Sequence, residues 1–496
     1  MKQLIKIMLL FGTIQGYGQS SAKNYDEAHK LVSDLVSEIR KCDTFHLAFE
    51  QKLRIFGHFQ VPLQTVDFNL AGRVAISTVK STFIRVDSVF QRDQYMKRTI
   101  FYDENILFQM NEGQKEPSQY TVEDQQSYIN DVSLFTPLFY LHDFLKTDES
   151  NLISYKMSAI DTLTYRSTKD RIVTIAIDRS KRLVTSIFVK SNEEMHGAVV
   201  RKILYNDYKS YGKTNARYPT KILATEFDVP LSEVVVHEGA SKLSATEIVI
   251  QIPRDYKMPI DEVTPTSSVQ DSKFNPSIHL FYFKELNDNI PIVEFKDYLL
   301  VIGAPVSVQN GELIIQKAKQ IWPDKPIRYF AFGHHHPYSM GGLRAFVHNK
   351  STIVCLSQNE KYAEEVSSYK DAPTKDELDK DYKPVKLELF ENEKTISDGE
   401  TEVRIYKIGE LSNHANDFLI FYFPKYKLLF EEELVWIKSD GPIKEASKRQ
   451  KGLYEGIKKY NLDVTQILQA WTGDSPGYKS VIPFSELEES INLTKK

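Results

Sequence analysis

Apolar and polar positions change rhythm twice along the chain. Ala28, Leu31, Val32, Leu35, Val36 and Ile39 recur at helical spacing and predict an amphipathic helix, capped by Asn24 or Asp26. From residue 45 to about 227 the period drops to two. Segments 45–55, 68–76, 81–86, 171–177 and 183–189 alternate apolar with polar residues, and 207–222 reads as strand, turn, strand. This is the pattern of antiparallel strands with one covered face. A more helical insertion, 128–145, interrupts it.

Both rhythms stop over 253–278, which is rich in Pro, Ser and Asp and is predicted to be a linker. Beyond it strands and helices alternate. A hairpin is expected at 290–295 and 298–302, and a helix with Ile314, Ile315, Ala318, Ile321 and Trp322 on its apolar face. Strands are expected at 327–332, 352–356, 385–390, 402–407, 418–423, 427–430 and 464–468, with a charged surface stretch at 361–384. Helices are expected at 444–460 and 484–491. The predicted organisation is therefore α+β: residues 21–252 form a helix plus an antiparallel sheet, and 279–496 form a second, mixed domain.

The first residues break this pattern. Lys2 and Lys6 precede an apolar run at 7–14, and Gly16 and Gly18 fit the small positions of a cleavage site. These features predict a signal peptide over 1–18, cut after Gly18, and hence an exported protein, periplasmic or secreted. The run is too short to anchor in a bilayer, and no other stretch is longer, so no transmembrane anchor is expected after cleavage. With 496 residues, 41% hydrophobic and 26% charged, the chain has ample material for more than one globular core. A net charge of -4 without a basic stripe points away from nucleic acid. Cys42 and Cys355 fall in different predicted domains and read as two buried free thiols.

The chemistry concentrates at 332–342. Three consecutive histidines, His334, His335 and His336, leave the end of a predicted buried strand and run into Gly341-Gly342. In extended backbone His334 and His336 point to one side and His335 to the other. Two converging imidazoles on a short rigid segment suit zinc, which takes neutral His nitrogen at tetrahedral positions.

Several stretches together resemble the metallo-β-lactamase fold family over about 285–492: the His segment after its strand, Gly341-Gly-Leu-Arg344 leaving it, Asn413-His-Ala-Asn-Asp417 before a strand, and 424–430 as a hairpin. The resemblance implies an αββα four-layer sandwich with a metal site in the loops along one edge. It places metal ligands at His334, His336 and His414, and implies one zinc per chain. The family's remaining ligand positions fall on Tyr338, Ser339, Glu433 and Trp471 (or Thr472), so the second metal position is degenerate. Glu433 is the implied catalytic carboxylate, while Glu431 and Glu432 read as a solvated turn. Asp417 or Asn416 is the expected hydrogen-bond partner of His414, and Arg344 is expected to pair with an acid near the site.

Residues 21–252 resemble, in pattern alone, the half-barrels of bacterial lipoprotein carriers, which implies a small apolar ligand there. Two functions stand as expectations: a hydrolase-like protein in which one zinc activates water, acting on a small-molecule substrate, or a catalytically inactive relative that binds a ligand or partner. The second includes a centre that holds metal without turnover and one that holds none.

Overall fold

The computed structural model describes residues 21–493 apart from 57–60, 63, 81, 92–93, 103–106, 112–117, 120–132, 168–170, 194, 196, 239–267, 370–374 and 472–476. The expected signal peptide, 253–267 of the expected linker, and Thr472 lie outside the described residues. No helix among the described residues is long and apolar enough to cross a membrane.

The N-terminal part is one antiparallel sheet of thirteen strands. Its first long strand, Thr44–Phe56, pairs on one side with Thr65–Ser77 and on the other with Val229–Glu238. The alternation read from sequence is realised as burial. Leu163 and Tyr165, then Val173, Ile175 and Ile177, point into the core while their neighbours are less buried or exposed. Helix Ser21–Ile39 lays Ala28, Val32, Leu35 and Val36 on this core, and helix Leu138–Leu145 joins it there. Asn24 and Asp26 lie inside the first helix, not at its cap.

The C-terminal part holds two further sheets. The first orders Val269–Asn275, Ile278–Phe283, Asp288–Glu294, Leu299–Ile302, Ile327–Ala331, Thr352–Leu356 and Lys386–Phe390, with the last three junctions parallel. The second orders Glu393–Ser397, Glu402–Lys407, Leu419–Phe423, Leu428–Glu431, Gln466–Gln469 and Val481–Pro483. Leu300, Ile302, Ala331 and Val354 of the first meet Ile405, Phe421, Phe430 and Leu468 of the second in one core. Leu299, Val301 and Phe330 face the other way, onto helices Val308–Ile321 and Leu343–His348. Helices Lys448–Lys459 and Phe484–Leu493 cover the outer face of the second sheet through Leu453, Ile457 and Leu487. The layers are thus αββα. Central strands such as Leu299–Ile302, buried on both faces, must be apolar throughout, and this one is.

Several strands sit where none was expected, among them Val229–Glu238, Ile278–Phe283 and Val481–Pro483. Val269–Asn275 lies inside the stretch read as linker, and Glu393–Ser397 pairs with Glu402–Lys407. The former is an edge strand with mostly exposed side chains. It has little apolar surface to hide and so carries no period-two signal. The stretch 361–384, expected as a surface loop or helix, carries helix Glu360–Ser368 and the short helix Glu377–Lys380, both with buried residues.

Arg344 finds its acids at the start of the short helix Glu377–Lys380. Its buried guanidinium meets Asp376 at 2.6 and 3.0 Å, Asp379 at 3.1 Å, and the carbonyls of Val366, Ser367 and Tyr369. Burial opposes ionisation of Asp376, but Arg344 outweighs it and holds the carboxyl below its ordinary range. A depressed folded pKa adds stability above the unfolded value of about 3.9 and loses it as pH falls further. Arg344→Met strands two acids and is expected to cost about 3 kcal/mol at pH 7. The difference from wild type should shrink below about pH 4 in urea melts; a cost independent of pH would contradict this account.

Candidate metal centre

The parallel strands of the first sheet and the strand Leu428–Glu431 of the second end along one edge of the sandwich. The loops leaving these strand ends build the centre. After Ile327–Ala331 the chain bends through Gly333 and the histidines, then turns into a short helix with Pro337 at its first position. The backbone of the histidines is bent instead of running extended, and the three rings part by their partners. The rings of His334 and His336 stand 4.3 Å apart between centroids, while His335 Nδ1 meets Asp417 Oδ1 at 2.9 Å. Asn359 holds the other Asp417 oxygen at 2.7 Å. Asp417 therefore serves His335 and not His414, because the loop places it across from the middle histidine.

His414 arrives from the second sheet. Its backbone N–H donates to Ser412 Oγ at 3.1 Å, and Asn413 takes a left-handed φ of 50° that swings the loop toward the histidines. The His414 ring lies 5.1 Å from that of His334 and 4.7 Å from that of His336.

Glu433 closes the group. Its Oε1 lies 2.6 Å from His414 Nε2, 3.2 Å from His334 Nε2 and 3.9 Å from His336 Nδ1. One donor atom from each of these four residues lies within 4.8 Å of the others. Arg449 reaches Glu433 Oε2 at 3.3 Å. Nothing near Glu433 in sequence announces Arg449, which comes from helix Lys448–Lys459.

The three glutamates do not form a solvated turn. Glu431 and Glu432 are buried, and the side chain of Glu433 is mostly so. Glu432 Oε1 accepts from Ser339 Oγ at 2.5 Å and from the Gly333 amide at 3.0 Å. Its Oε2 lies 2.5 Å from His334 Nδ1, out of line for a good hydrogen bond. A carboxylate behind a ligating imidazole fixes its tautomer and raises its basicity. Gly333 is required here, since a Cβ would sit 2.5 Å from the Glu432 carboxyl carbon.

The degenerate positions have other occupations. Ser339 is fully buried and anchors Glu432, with the Gly333 amide donating to its Oγ at 2.8 Å. Tyr338 stacks on Trp471 at 5.5 Å between ring centroids, and Trp471 meets Trp436 edge-on at 5.2 Å. Asp288, unmarked in the sequence, lines the same cleft as Tyr338, Trp471, Glu432 and Glu433.

Charge in the centre is tightly coupled. Burial resists ionisation of Glu433, yet the His334 and His414 imidazoles beside it hold it well below the carboxylate range. Burial pushes the His334 imidazole down, but Glu432 and Glu433 overcome it and raise it to about 10. Burial and then the neighbouring imidazoles push His336 far down. Burial lowers His414 despite Glu433. Burial raises Glu431 to about 8, and burial with Glu432 and Glu433 raises Asp288 well above its ordinary value.

The residues fit a metal ion. Two ligands on tetrahedral zinc, with bonds of about 2.0–2.1 Å, stand about 3.3 Å apart. The His334–Glu433 separation of 3.2 Å already meets this, and the His414–Glu433 contact of 2.6 Å needs a small opening. Both ring nitrogens of His334 are buried without an aligned hydrogen bond, as a ligand awaiting its ion would be. The ion would compete with a proton on His334, so binding would release that proton.

No protein-family model matches the chain, and no curated protein does. Among solved structures it is similar to a metallo-β-lactamase from Pontibacter korlensis, at 15% identity and a TM-score of 0.33, over 46% of this chain and 100% of that one. It is also similar to the metallo-β-lactamase FIM-1 from Pseudomonas aeruginosa in its mono-zinc form, at 16% identity and a TM-score of 0.34, over 47% and 97%. A metallo-β-lactamase from Hirschia baltica shows 16% identity and a TM-score of 0.32, over 46% and 97%.

Proposed function

We propose that the chain is an exported, hydrolase-like protein with a single zinc centre on His334, His336 and His414. The observation that carries this is the convergence of three buried imidazoles on one carboxylate oxygen, Glu433 Oε1. Zinc held by three imidazoles lowers the pKa of its water to about 7 and polarises a carbonyl or phosphoryl oxygen. Glu433 then has two roles open to it. As a fourth ligand it would close the centre; moved aside toward Arg449, it would take the proton of the attacking water. Glu432 orients His334 through Nδ1, and Ser339 holds Glu432 in turn.

Tyr338 and Trp471 support the single-metal reading. Neither a phenol nor an indole replaces the carboxylate and imidazole of a second metal position, and their rings are engaged with each other. The same stack favours the second reading, a metal-bearing or metal-free binding protein without turnover, because it covers the cleft while Glu433 fills the fourth place. A small apolar ligand in a half-barrel formed by the N-terminal sheet belongs with that reading. Leu35, Ile39, Leu141, Leu183 and Val184 line a cleft there, with Arg182 and Arg217 among its other residues.

Supplied with zinc, the wild-type protein is expected to hydrolyse at least one member of an ester, amide and phosphate panel. His336→Ala should abolish this, and Glu433→Gln should lower kcat by about 10²-fold if Glu433 is the base. No turnover on any member would favour the binding reading, and full activity in Glu433→Gln would remove its catalytic role. Export is tested separately. N-terminal sequencing of the mature protein should begin at Gln19, whereas protein retained in the cytoplasm and starting at Met1 would contradict it.

A further inference from the structure

The cleft beside the metal centre contains a carboxylate that the centre does not use. Asp288 is 2% exposed, and its Oδ1 has no hydrogen-bond partner among the described residues. It begins the strand Asp288–Glu294 and bridges through its backbone to Trp471, so it is fixed at the join of the two sheets. A buried acceptor left unpaired costs about 1–3 kcal/mol, which a ligand that supplies a donor would recover.

The walls say what kind of donor. Asp288, Glu432 and Glu433 give the cleft three carboxyl groups, against one cation-forming side chain, His334. Arg449 is engaged by Glu433 and is not among the lining residues. An anion entering here would meet the ionised Glu433 carboxylate, and like-charge juxtaposition costs several kcal/mol. The remaining walls are largely apolar, with Ile290, Ile302 and Phe430 beside the Tyr338–Trp471 pair. The inner end of the cleft is narrow and takes only a small head group.

The geometry points to Asp288 as the recognition residue for a primary ammonium group, so that the cleft takes amine-bearing ligands and rejects carboxylates and phosphates. This deepens the hydrolase reading by naming its substrate class, and it rests on that reading only for the fate of the bound ligand. The ammonium would donate to Asp288 Oδ1, with its alkyl part leaving past Ile290 and the Tyr338–Trp471 stack.

The test uses n-butylammonium, 1-butanol and butyrate as probes on full-length protein stripped of metal, so that no amine can bind an ion instead. Calorimetry should rank butylammonium first and butyrate last. Asp288→Asn should weaken butylammonium about 10- to 100-fold and leave butanol nearly unchanged. A crystal soak should place the nitrogen within hydrogen-bond distance of Asp288 Oδ1; this decides the matter if Asp288→Asn fails to fold. Butyrate binding as well as butylammonium, no probe binding at all, or an unchanged affinity in Asp288→Asn would each overturn the assignment. Because the protein is metal-free throughout, failure of the zinc reading would leave these outcomes unaffected.

Discussion

Three imidazoles and three glutamates share one buried edge of the sandwich, and their mutual charge compensation is the constraint on which the rest of the centre depends. Glu433 stays ionised in a buried setting because His414 hydrogen-bonds it and the His334 imidazole faces it. His334 keeps a proton only because Glu432 and Glu433 face its two nitrogens. Remove Glu433 or His334 and a buried charge loses a partner, which costs several kcal/mol. A divalent ion resolves the same problem differently, replacing a proton with two positive charges at the focus of the ring nitrogens.

The scaffold exists to hold that balance in place. Strands buried on both faces end together at the edge, and the loops that continue them are tied across the sheets. Leu419 donates its amide to Gly333 at 2.7 Å, which joins the loop of His414 to the loop of His334. Gly341 packs against the Val306 backbone so closely that a Cβ would lie 2.3 Å away, which fixes the turn beyond the histidines. His335, with Asp417 and Asn359, pins the middle of the histidine run from behind. The site is therefore rigid where metal chemistry needs rigidity, and the Tyr338–Trp471 pair lines the cleft beside it.

How much of this could be read from the sequence depends on how local each signal is. Period-two spacing set His334 and His336 apart from His335, although the backbone there bends, and strands buried on one or both faces announced both halves of the fold. The edge strand Val269–Asn275 left no such trace because it buries little. The acids were the hardest. Glu431-Glu432-Glu433 reads as a solvated turn until Ser339, Gly333 and His334, about a hundred residues away in sequence, are known to surround Glu432. Asp288 has no neighbours in sequence that suggest a site, and Arg344 finds its acids on a later helix. In each case tertiary burial assigns the partner, and nothing within a few residues foretells it.

The central claim is that His334, His336 and His414 hold one metal ion. Elemental mass spectrometry of purified protein, wild type beside His334→Ala/His414→Ala, tests it most directly. The account predicts about one zinc per chain in the wild type and none in the variant. A wild type that takes up no metal when zinc is offered at neutral pH, or a variant that keeps it, would contradict the account.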